Sequence, residues 1–154
     1  MILEDDPERD TLVVDMDALS QAIMRVAEQS EGTLILDGHY SHELLDANVV
    51  DHVFVLRKAP WRLIEILQNR LYSYEKVWEN VEAEIIGVIM QEAIDLYPPE
   101  KLHELDTTNK EPEETVKEIL QVINGEKATR VEPLDWIAYP ETLRLLVNKT
   151  CTSS

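Results

Sequence analysis

The sequence predicts an α/β fold in which a parallel β-sheet carries α-helices on both faces. Two short apolar runs, residues 33–36 and 52–56, have the character of buried strands. Amphipathic segments alternate with these runs, and this alternation favours a parallel sheet with crossover helices. The first run leads directly into Asp37, Gly38 and His39. Because ligands bind at the carboxyl ends of parallel strands, we expect a functional site at this point of the chain.

Composition limits the class of protein and its partners. The chain has 154 residues, of which 44% are hydrophobic, so it can bury the core of one domain. A formal charge of -17 at pH 7 disfavours nucleic acids and anionic membranes as direct partners. Such an acidic surface serves solubility, suits a salt-rich cytoplasm or suits a basic partner, and the sequence does not separate these three. The single cysteine, Cys151, excludes a disulfide framework, and no apolar run has the length of a membrane span. We therefore expect a cytoplasmic protein.

The first third of the chain is predicted to contain one strand and one helix before the run at 33–36. Residues 1–10 gather five acidic residues around one proline, which is typical of a solvated lead-in. Residues 11–14 form a short extended apolar run. From residue 15 to residue 27, apolar side chains recur at helical spacing and predict an amphipathic helix.

The remaining elements follow the second strand, 52–56. Proline and glycine residues, with Ser73 as an N-cap, set most of their boundaries. We predict helices at 60–70, 74–97 and 113–123, a third strand at 102–105, and an appended segment with one short strand at 130–136 and one helix at 139–146.

Several polar and aromatic side chains have ordinary structural interpretations. Glu79, Glu82 and Glu84 have the pattern of a solvated helix face, and Arg62 that of a surface residue on its helix. The remaining histidines and the tryptophans are predicted to be solvated or to pack in the core rather than to bind metal or bases: His42, His52, His103, Trp61, Trp78 and Trp136.

An ordered set of motifs resembles one family. The set comprises the phrases at 36–39 (Leu-Asp-Gly-His), 53–57 (Val-Phe-Val-Leu-Arg), 70–72 (Arg-Leu-Tyr), 76 with 80–85, and 107–110 (Thr-Thr-Asn-Lys). Over residues 11–123 the chain resembles the archaeal and eukaryotic adenylate kinases of the sixth isoenzyme type, whose human member is known as a coilin-interacting nuclear ATPase. The resemblance implies the nucleoside monophosphate kinase form of the P-loop NTPase fold.

The resemblance also implies roles for individual residues. Asp37 would help to hold Mg²⁺, through water, and His39 would position the attacking water or the acceptor. Arg70 would reach the ATP phosphates from a lid at 69–79, a role that suits a forked cation. The loop of Thr108, Asn109 and Lys110 would contact the ATP base. Arg57 is either a further ATP-binding residue or a structural one that caps a helix or pairs with an acid.

The sequence departs from the family pattern in two places. Leu71 stands where the family lid has glycine. The phosphate-binding motif Gly-x-x-x-x-Gly-Lys-Ser/Thr is absent, since none of the four glycines precedes a lysine. In the family this motif follows the first strand, which lies centrally in the sheet, between the strands that end at Asp37 and Arg57. We expect either a truncated product, a missed upstream start or a real loss of the motif.

This departure shapes the expected domain organisation. Residues 1–125 form an adenylate kinase-like domain without its P-loop unit, residues 1–14 correspond to the end of the monophosphate-binding region, and residues 126–154 are appended. Without the central strand, two apolar strand edges would face a gap, and exposed edges invite pairing with another chain. We therefore expect low stability or self-association.

The resemblance implies a phosphotransferase that converts ATP and AMP into two ADP, with ATPase activity. It also implies a role in maturation of the small ribosomal subunit, with a basic ribosomal protein as partner. The alternative is a catalytically inactive binding or assembly module, or a gene fragment, because the P-loop is absent.

Overall fold

The structure is a computed structural model that describes residues 2–6, 11–128 and 134–152. The chain divides into two compact units, a first unit of residues 1–51 and a second unit of residues 52–154. The predicted strand at 130–136 lies mostly outside the described residues.

The first unit contains two antiparallel strands and one long helix. Strands β1 (Ile2–Asp6) and β2 (Thr11–Val14) pair with each other. Helix α1 (Met16–Gln29) begins after Asp15, whose carboxylate accepts a hydrogen bond of 2.9 Å from the backbone N–H of Ala18. The extended run at 11–14 and the helix after it are confirmed. Residues 2–6, predicted as part of a solvated lead-in, form strand β1.

The predicted strand at 33–36 is wrong. These residues have no strand hydrogen bonding, and the side chain of Ile35 is 81% exposed. The physical reason is the lack of a partner. A strand is held by hydrogen bonds to a neighbouring strand, and in the described part of the first unit β1 and β2 pair only with each other. Asp37 and His39 therefore follow a segment without strand pairing rather than the tip of a paired strand.

The second unit is built on a parallel strand pair flanked by helices. Strand β3 (Val53–Arg57) pairs in parallel with β4 (Leu102–Asp106), as alternation of strands and helices predicts. The helices are α2 (Pro60–Asn69), α3 (Tyr74–Ile86), α4 (Val88–Leu96), α5 (Pro112–Ile123) and α6 (Pro140–Thr152). The α/β class is confirmed. Of the strands that the structure describes, only β4 pairs with β3, so one edge of β3 carries no strand. None of the helices described is both long and apolar enough to cross a membrane.

The predicted single helix at 74–97 is wrong, because Gly87 divides it into α3 and α4. Gly87 has a φ of +74°, and its N–H donates to the carbonyls of Ala83 and Glu84 at the end of α3. A glycine in this left-handed conformation is a common helix C-terminus. The second helix starts at the next residue and ends at Leu96.

The core of the second unit lies between α2, α3 and α6. Five buried side chains form it, and two leucines of α6 pack against them: Leu67, Val77, Trp78, Val81 and Ile85, with Leu145 and Leu146. The helix predicted in the C-terminal segment is confirmed as α6. Before it, Trp136–Ala138 form one 3₁₀ turn, and the Trp136 side chain is only 1% exposed, as predicted for a core tryptophan.

Candidate functional site

The two parallel strands of the second unit end at the same edge. Arg57, the last residue of β3, lies opposite Asp106, the last residue of β4. Helix α2 begins three residues after Arg57, and α5 begins six residues after Asp106. The connection between β4 and α5, residues 107–111, is called the strand-end loop below. The carboxyl edge of a parallel sheet is where α/β proteins bind ligands.

The strand-end loop is fastened to the tip of β3 by four hydrogen bonds. The N–H and hydroxyl of Thr107 donate to the carbonyl of Arg57 at 2.8 and 2.9 Å. The Lys58 ammonium donates to the Thr107 carbonyl at 2.8 Å, and the Ala59 N–H donates to the Thr108 hydroxyl at 2.9 Å. These bonds fix the start of the loop relative to the start of α2.

A cavity of about 810 Å³ opens beside this loop, and we call it the strand-end cavity. Its apolar wall consists of residues from β3, α2 and α5, namely Leu56, Ile66, Pro112, Val116 and Ile119. Thr107, Thr108, Asn109 and Lys110 supply the polar side. A concave surface with apolar walls and a few polar groups on one side is typical of a small-molecule site.

The strand-end cavity is rich in cations for so acidic a chain. Lys58, Arg62 and Lys110 line it, together with the carboxylates of Glu65 and Glu111. The Arg62 guanidinium lies 3.1 Å from Glu65, and both side chains are more than half exposed. Three cations against two acids stand out in a protein with a net charge of -17. Cations that are gathered on one surface attract anions.

Lys110 is the cation of the strand-end loop, and Glu118 of α5 holds it. The Lys110 ammonium lies 2.5 Å from one oxygen of Glu118, and Lys127 pairs with the other oxygen. These two hydrogen bonds, the one from Lys110 foremost, lower the pKa of Glu118. Thr108 and Asn109, predicted with Lys110 as one contact loop, lie beside it in the cavity wall.

Arg57 is buried at the opposite side of the β3 tip and is paired with two acids. Its Nε donates to Glu84 at 2.8 Å, its Nη2 donates to the Glu84 carbonyl at 2.8 Å, and its Nη1 pairs with Glu104. The Arg57 side chain is 3% exposed and that of Glu104 is 1% exposed. These contacts agree with the structural interpretation of Arg57, pairing with an acid. Its ATP-binding role stays a prediction.

The prediction that Glu84 lies on a solvated helix face is wrong. Its side chain is only 17% exposed. Burial raises the pKa of Glu84, although the Arg57 charge acts in the opposite direction. The sequence contains a pattern that could have predicted a buried position for Glu84. Glu84 follows the buried Val77 by seven residues and the buried Val81 by three, a spacing that places all three on one side of α3.

The structure does not bring Arg70 into the strand-end cavity. Arg70 is exposed at the C-terminus of α2, where its backbone N–H donates to Ile66 and Leu67. The next residue, Leu71, has a φ of +60° and a side chain that is 91% exposed. The predicted lid at 69–79 is thus the turn between α2 and α3 together with the first part of α3, which Ser73 caps.

Asp37 and His39 belong to the first unit. Both side chains are exposed, and they lie on the bend that precedes the 3₁₀ turn Ser41–Glu43. The Ser41 hydroxyl donates to the carbonyl of Gly38 at 2.8 Å and closes this bend. The sequence-predicted residues therefore fall into a pair in the first unit, a group at the carboxyl edge of the parallel strands in the second unit, and Arg70 at the C-terminus of α2.

Sequence reasoning missed two cations of the strand-end cavity. Lys58 and Arg62 line it, although Arg62 was predicted only as a surface residue of its helix. The signal was their position, since Lys58 follows β3 directly and Arg62 lies in the first turn of α2. Both positions come directly after the carboxyl end of a strand.

Comparison with known proteins shows a family. The sequence profile of an AAA domain matches residues 1–87, which supports the predicted P-loop NTPase-like fold. A protein of Thermococcus kodakarensis is 41% identical over 136 residues, covering 88% of this chain and 72% of the relative. A protein of Natronomonas pharaonis is 37% identical over 131 residues, covering 85% of this chain and 73% of the relative. A protein of Pyrococcus furiosus is 44% identical over 127 residues, covering 82% of this chain. Each is named "Putative adenylate kinase".

The chain is matched to only part of several relatives. It spans 66% of the length of the Pyrococcus furiosus protein and 65% of the length of a relative from Methanococcus maripaludis.

Proposed function

Since this chain belongs to the archaeal adenylate kinase family, we propose that it binds adenine nucleotides and takes part in phosphoryl transfer from ATP to AMP. The observation that carries the proposal is the strand-end cavity, where apolar walls and three cations meet beside an anchored loop. A nucleotide needs both kinds of surface, because its base is apolar on its faces and its phosphates are anionic.

Each part of the cavity has a role in this proposal. The strand-end loop presents Thr108, Asn109 and backbone groups to the edge of the base, while the apolar wall contacts its face. Lys110 neutralises negative charge next to the loop. Lys58 and Arg62 extend the positive charge toward the start of α2. Phosphoryl transfer depends mainly on such positioning and charge neutralisation.

Asp37 and His39 of the first unit are proposed to have the roles that the family resemblance implies for them. Mg²⁺ is commonly held through one or two carboxylates with several retained waters, and the exposed carboxylate of Asp37 fits that donor chemistry. Asp37 would hold Mg²⁺, which neutralises phosphate charge when bound. His39, two residues on, would orient the attacking water or the acceptor. Arg70 on the proposed lid would reach the phosphates with its guanidinium, which forms forked hydrogen bonds to phosphate oxygens.

Wider roles follow from the same family as proposals. We propose an additional ATPase activity, and a cytoplasmic role in maturation of the small ribosomal subunit as in the sixth isoenzyme type. A basic ribosomal protein is the proposed partner, because a net charge of -17 favours association with a cationic surface. Self-association through the unpaired edge of β3 is a further proposal.

A second candidate function is nucleotide binding without turnover. The absence of Gly-x-x-x-x-Gly-Lys from these 154 residues favours it, because that motif supplies the backbone amides and lysine that cradle phosphates. The two candidates share the strand-end cavity and differ in chemistry. Conversion of ADP into ATP and AMP distinguishes them, since a binding module gives no product above background.

The experiment that tests nucleotide binding is calorimetry of the full chain with Mg-ATP. Lys110→Ala removes the loop cation, and Asp37→Ala removes the proposed Mg²⁺ carboxylate. Lys117→Ala is the matched control, because Lys117 is an exposed lysine of α5 that does not line the strand-end cavity. We expect Lys110→Ala to weaken binding about tenfold, as for loss of one charged hydrogen bond. Asp37→Ala should weaken it only when Mg²⁺ is present.

The outcomes separate clearly. Saturable binding that Lys110→Ala weakens and Lys117→Ala leaves unchanged supports the strand-end cavity as the nucleotide site. Absence of binding to folded wild-type protein overturns the proposal. Binding that survives Lys110→Ala without loss also overturns the assignment of this loop.

A further inference from the structure

One carboxylate oxygen of Glu84 collects hydrogen bonds from two distant parts of the chain. Its Oε1 accepts from Nε of Arg57 at 2.8 Å and from the backbone N–H of Lys58 at 3.3 Å. The same oxygen accepts from the indole N–H of Trp136 at 2.7 Å. Arg57 and Lys58 form the tip of β3, whereas Trp136 lies in the C-terminal segment. A single acceptor therefore joins the C-terminal segment to the strand that carries the proposed site.

We propose that Glu84 is a positioning residue for the strand-end loop, and that the C-terminal segment acts on this loop through Trp136. The proposal rests on the proposed function, because it concerns the same loop. Glu84 is not placed in contact with a nucleotide. It sets the orientation of the β3 tip, and the β3 tip in turn holds the loop.

The path from Glu84 to the loop is made of short contacts. Arg57 faces Glu84 with its guanidinium and faces the loop with its carbonyl, which accepts both hydrogen bonds of Thr107. Lys58 faces Glu84 with its N–H and donates from its ammonium to the Thr107 carbonyl. Arg57 and Lys58, which donate hydrogen bonds to Glu84, are thus also the residues that form hydrogen bonds with Thr107.

The C-terminal segment forms hydrogen bonds with both acids that pair with Arg57, namely Glu84 and Glu104. The Trp136 ring is 1% exposed and contacts Trp61 of α2, with ring centres 5.8 Å apart. Two residues earlier, the N–H of Leu134 donates to Glu104 at 2.9 Å. Glu104 is the second acid that pairs with Arg57. Both partners of the Arg57 guanidinium are therefore also partners of the C-terminal segment.

The test compares two tryptophan variants of the full chain. Trp136→Phe keeps an aromatic ring in the core and removes the N–H that Glu84 accepts. Trp78→Phe is the matched control, because Trp78 is also buried, at 6% exposure, and lies in the apolar core beside Tyr74. The readout is amide hydrogen exchange at Thr107 and Thr108, which does not depend on any ligand. Calorimetry with Mg-ATP is the second readout.

We expect Trp136→Phe to speed exchange at the loop amides about tenfold relative to Trp78→Phe, the effect of losing one hydrogen bond to a charged group. Amides in the middle of α5 should exchange alike in the two variants. Glu84→Gln, which keeps the size of the side chain and removes its charge, should speed loop exchange further if it folds. A loop that exchanges at the same rate in Trp136→Phe and Trp78→Phe overturns the positioning role.

The two proposals fail in different ways. Wild-type protein that binds no nucleotide, with loop amides that respond to Trp136→Phe, removes the proposed function and supports the positioning of the loop. Nucleotide binding with an unresponsive loop supports the function and removes the role of Glu84.

Discussion

Gly87 lies directly against the guanidinium of Arg57, since a β-carbon at Gly87 would be 3.4 Å from both Nη1 and Nη2. A β-carbon alone would just touch these atoms, and a longer side chain would displace them. The same glycine has the left-handed φ of +74° that ends α3. One residue thus sets the boundary between two helices and leaves the space in which Arg57 meets Glu84 and Glu104.

Replacement of Gly87 by leucine should destabilise the protein more than the same change at Gly125. Both glycines have a positive φ, but the Cβ of Gly125 would meet no atom within 4 Å. Each of the two variants therefore loses about 1–2 kcal/mol because leucine must adopt a left-handed backbone conformation. Only Gly87→Leu also disturbs a buried ion pair, which should add about 3 kcal/mol to the loss. Urea unfolding of the two variants measures the difference. Equal losses would show that Arg57 moves aside at no cost.

Replacement of Leu71 by glycine should stabilise the protein. Leu71 has a φ of +60°, and its side chain is 91% exposed, so it adopts a strained conformation and buries almost nothing. Relief of this strain stabilises the folded state, whereas the greater conformational freedom of glycine stabilises the unfolded chain. The net effect should be to raise the free energy of unfolding by about 1 kcal/mol. Leu71→Ala is the control and should change it by less than about 0.5 kcal/mol, because alanine keeps the strain. Thermal unfolding measures both; a less stable Leu71→Gly would mean that the Leu71 side chain makes contacts worth more than the strain.

The elements that the sequence predicted correctly are those with strong local patterns. Strand β3 is a short apolar run, β4 alternates apolar and polar residues, and α2 and α5 each begin at a proline that is compatible with the first helical turn. The placement of Thr108, Asn109 and Lys110 in a loop follows from the strand predicted before them and the helix predicted after them, whereas their joint contact with the ATP base is implied only by the family resemblance.

The features that the sequence did not reveal depend on contacts between distant residues. The run at 33–36 has strand-like composition, but a strand needs a partner, and composition does not show whether one is present. A glycine within a helical pattern costs only about 1 kcal/mol, so Gly87 alone did not predict a break. Its close approach to Arg57 comes from the fold. Glu84 was predicted to be exposed because acidic side chains usually are. Its hydrogen-bond partners Arg57 and Trp136 lie 27 and 52 residues away in the sequence, so local sequence did not reveal them.

Stability should fall as the pH drops below about 6.5, and His103 should account for part of the fall. Burial lowers the pKa of His103, and the neighbouring His52, whose Nδ1 lies 2.9 Å from Nε2 of His103, lowers it further. The folded state therefore favours the neutral ring, and below the unfolded pKa the unfolded chain binds the extra proton. The slope is at most about 1.4 kcal/mol per pH unit for one such group.

The variant His103→Gln should show a shallower loss of stability between about pH 7.5 and about pH 5 than wild type. His39→Gln is the control, because it replaces an exposed histidine of the first unit in the same way. Urea unfolding at several pH values gives the slopes. A His103→Gln profile parallel to that of wild type would assign the acid sensitivity to other groups.

Glu118 should compete with nucleotide phosphates for Lys110, so Glu118→Gln is expected to strengthen Mg-ATP binding. The Lys110 ammonium lies 2.5 Å from the Glu118 carboxylate, and loss of that charge leaves the cation uncompensated at the strand-end cavity. Partly exposed ion pairs of this kind contribute up to about 1 kcal/mol, which corresponds to a gain of about fivefold at most. Calorimetry with Mg-ATP measures the change. Glu113→Gln is the control, since it removes the same charge from an exposed position on the same helix.

The same variant should carry a stability cost that depends on pH. Like the His103 effect, the Glu118 contribution reduces stability as the pH falls, but it does so in a more acidic range. Hydrogen bonds from Lys110 and Lys127 lower the pKa of Glu118, so its contribution is present above the unfolded pKa of about 4.3 and is lost as the pH falls through the folded value. Glu118→Gln should therefore be less stable than wild type near pH 7, and the difference should vanish in acid. If Glu118→Gln instead weakened Mg-ATP binding as strongly as Lys110→Ala, Glu118 would orient the lysine toward the nucleotide rather than compete for it.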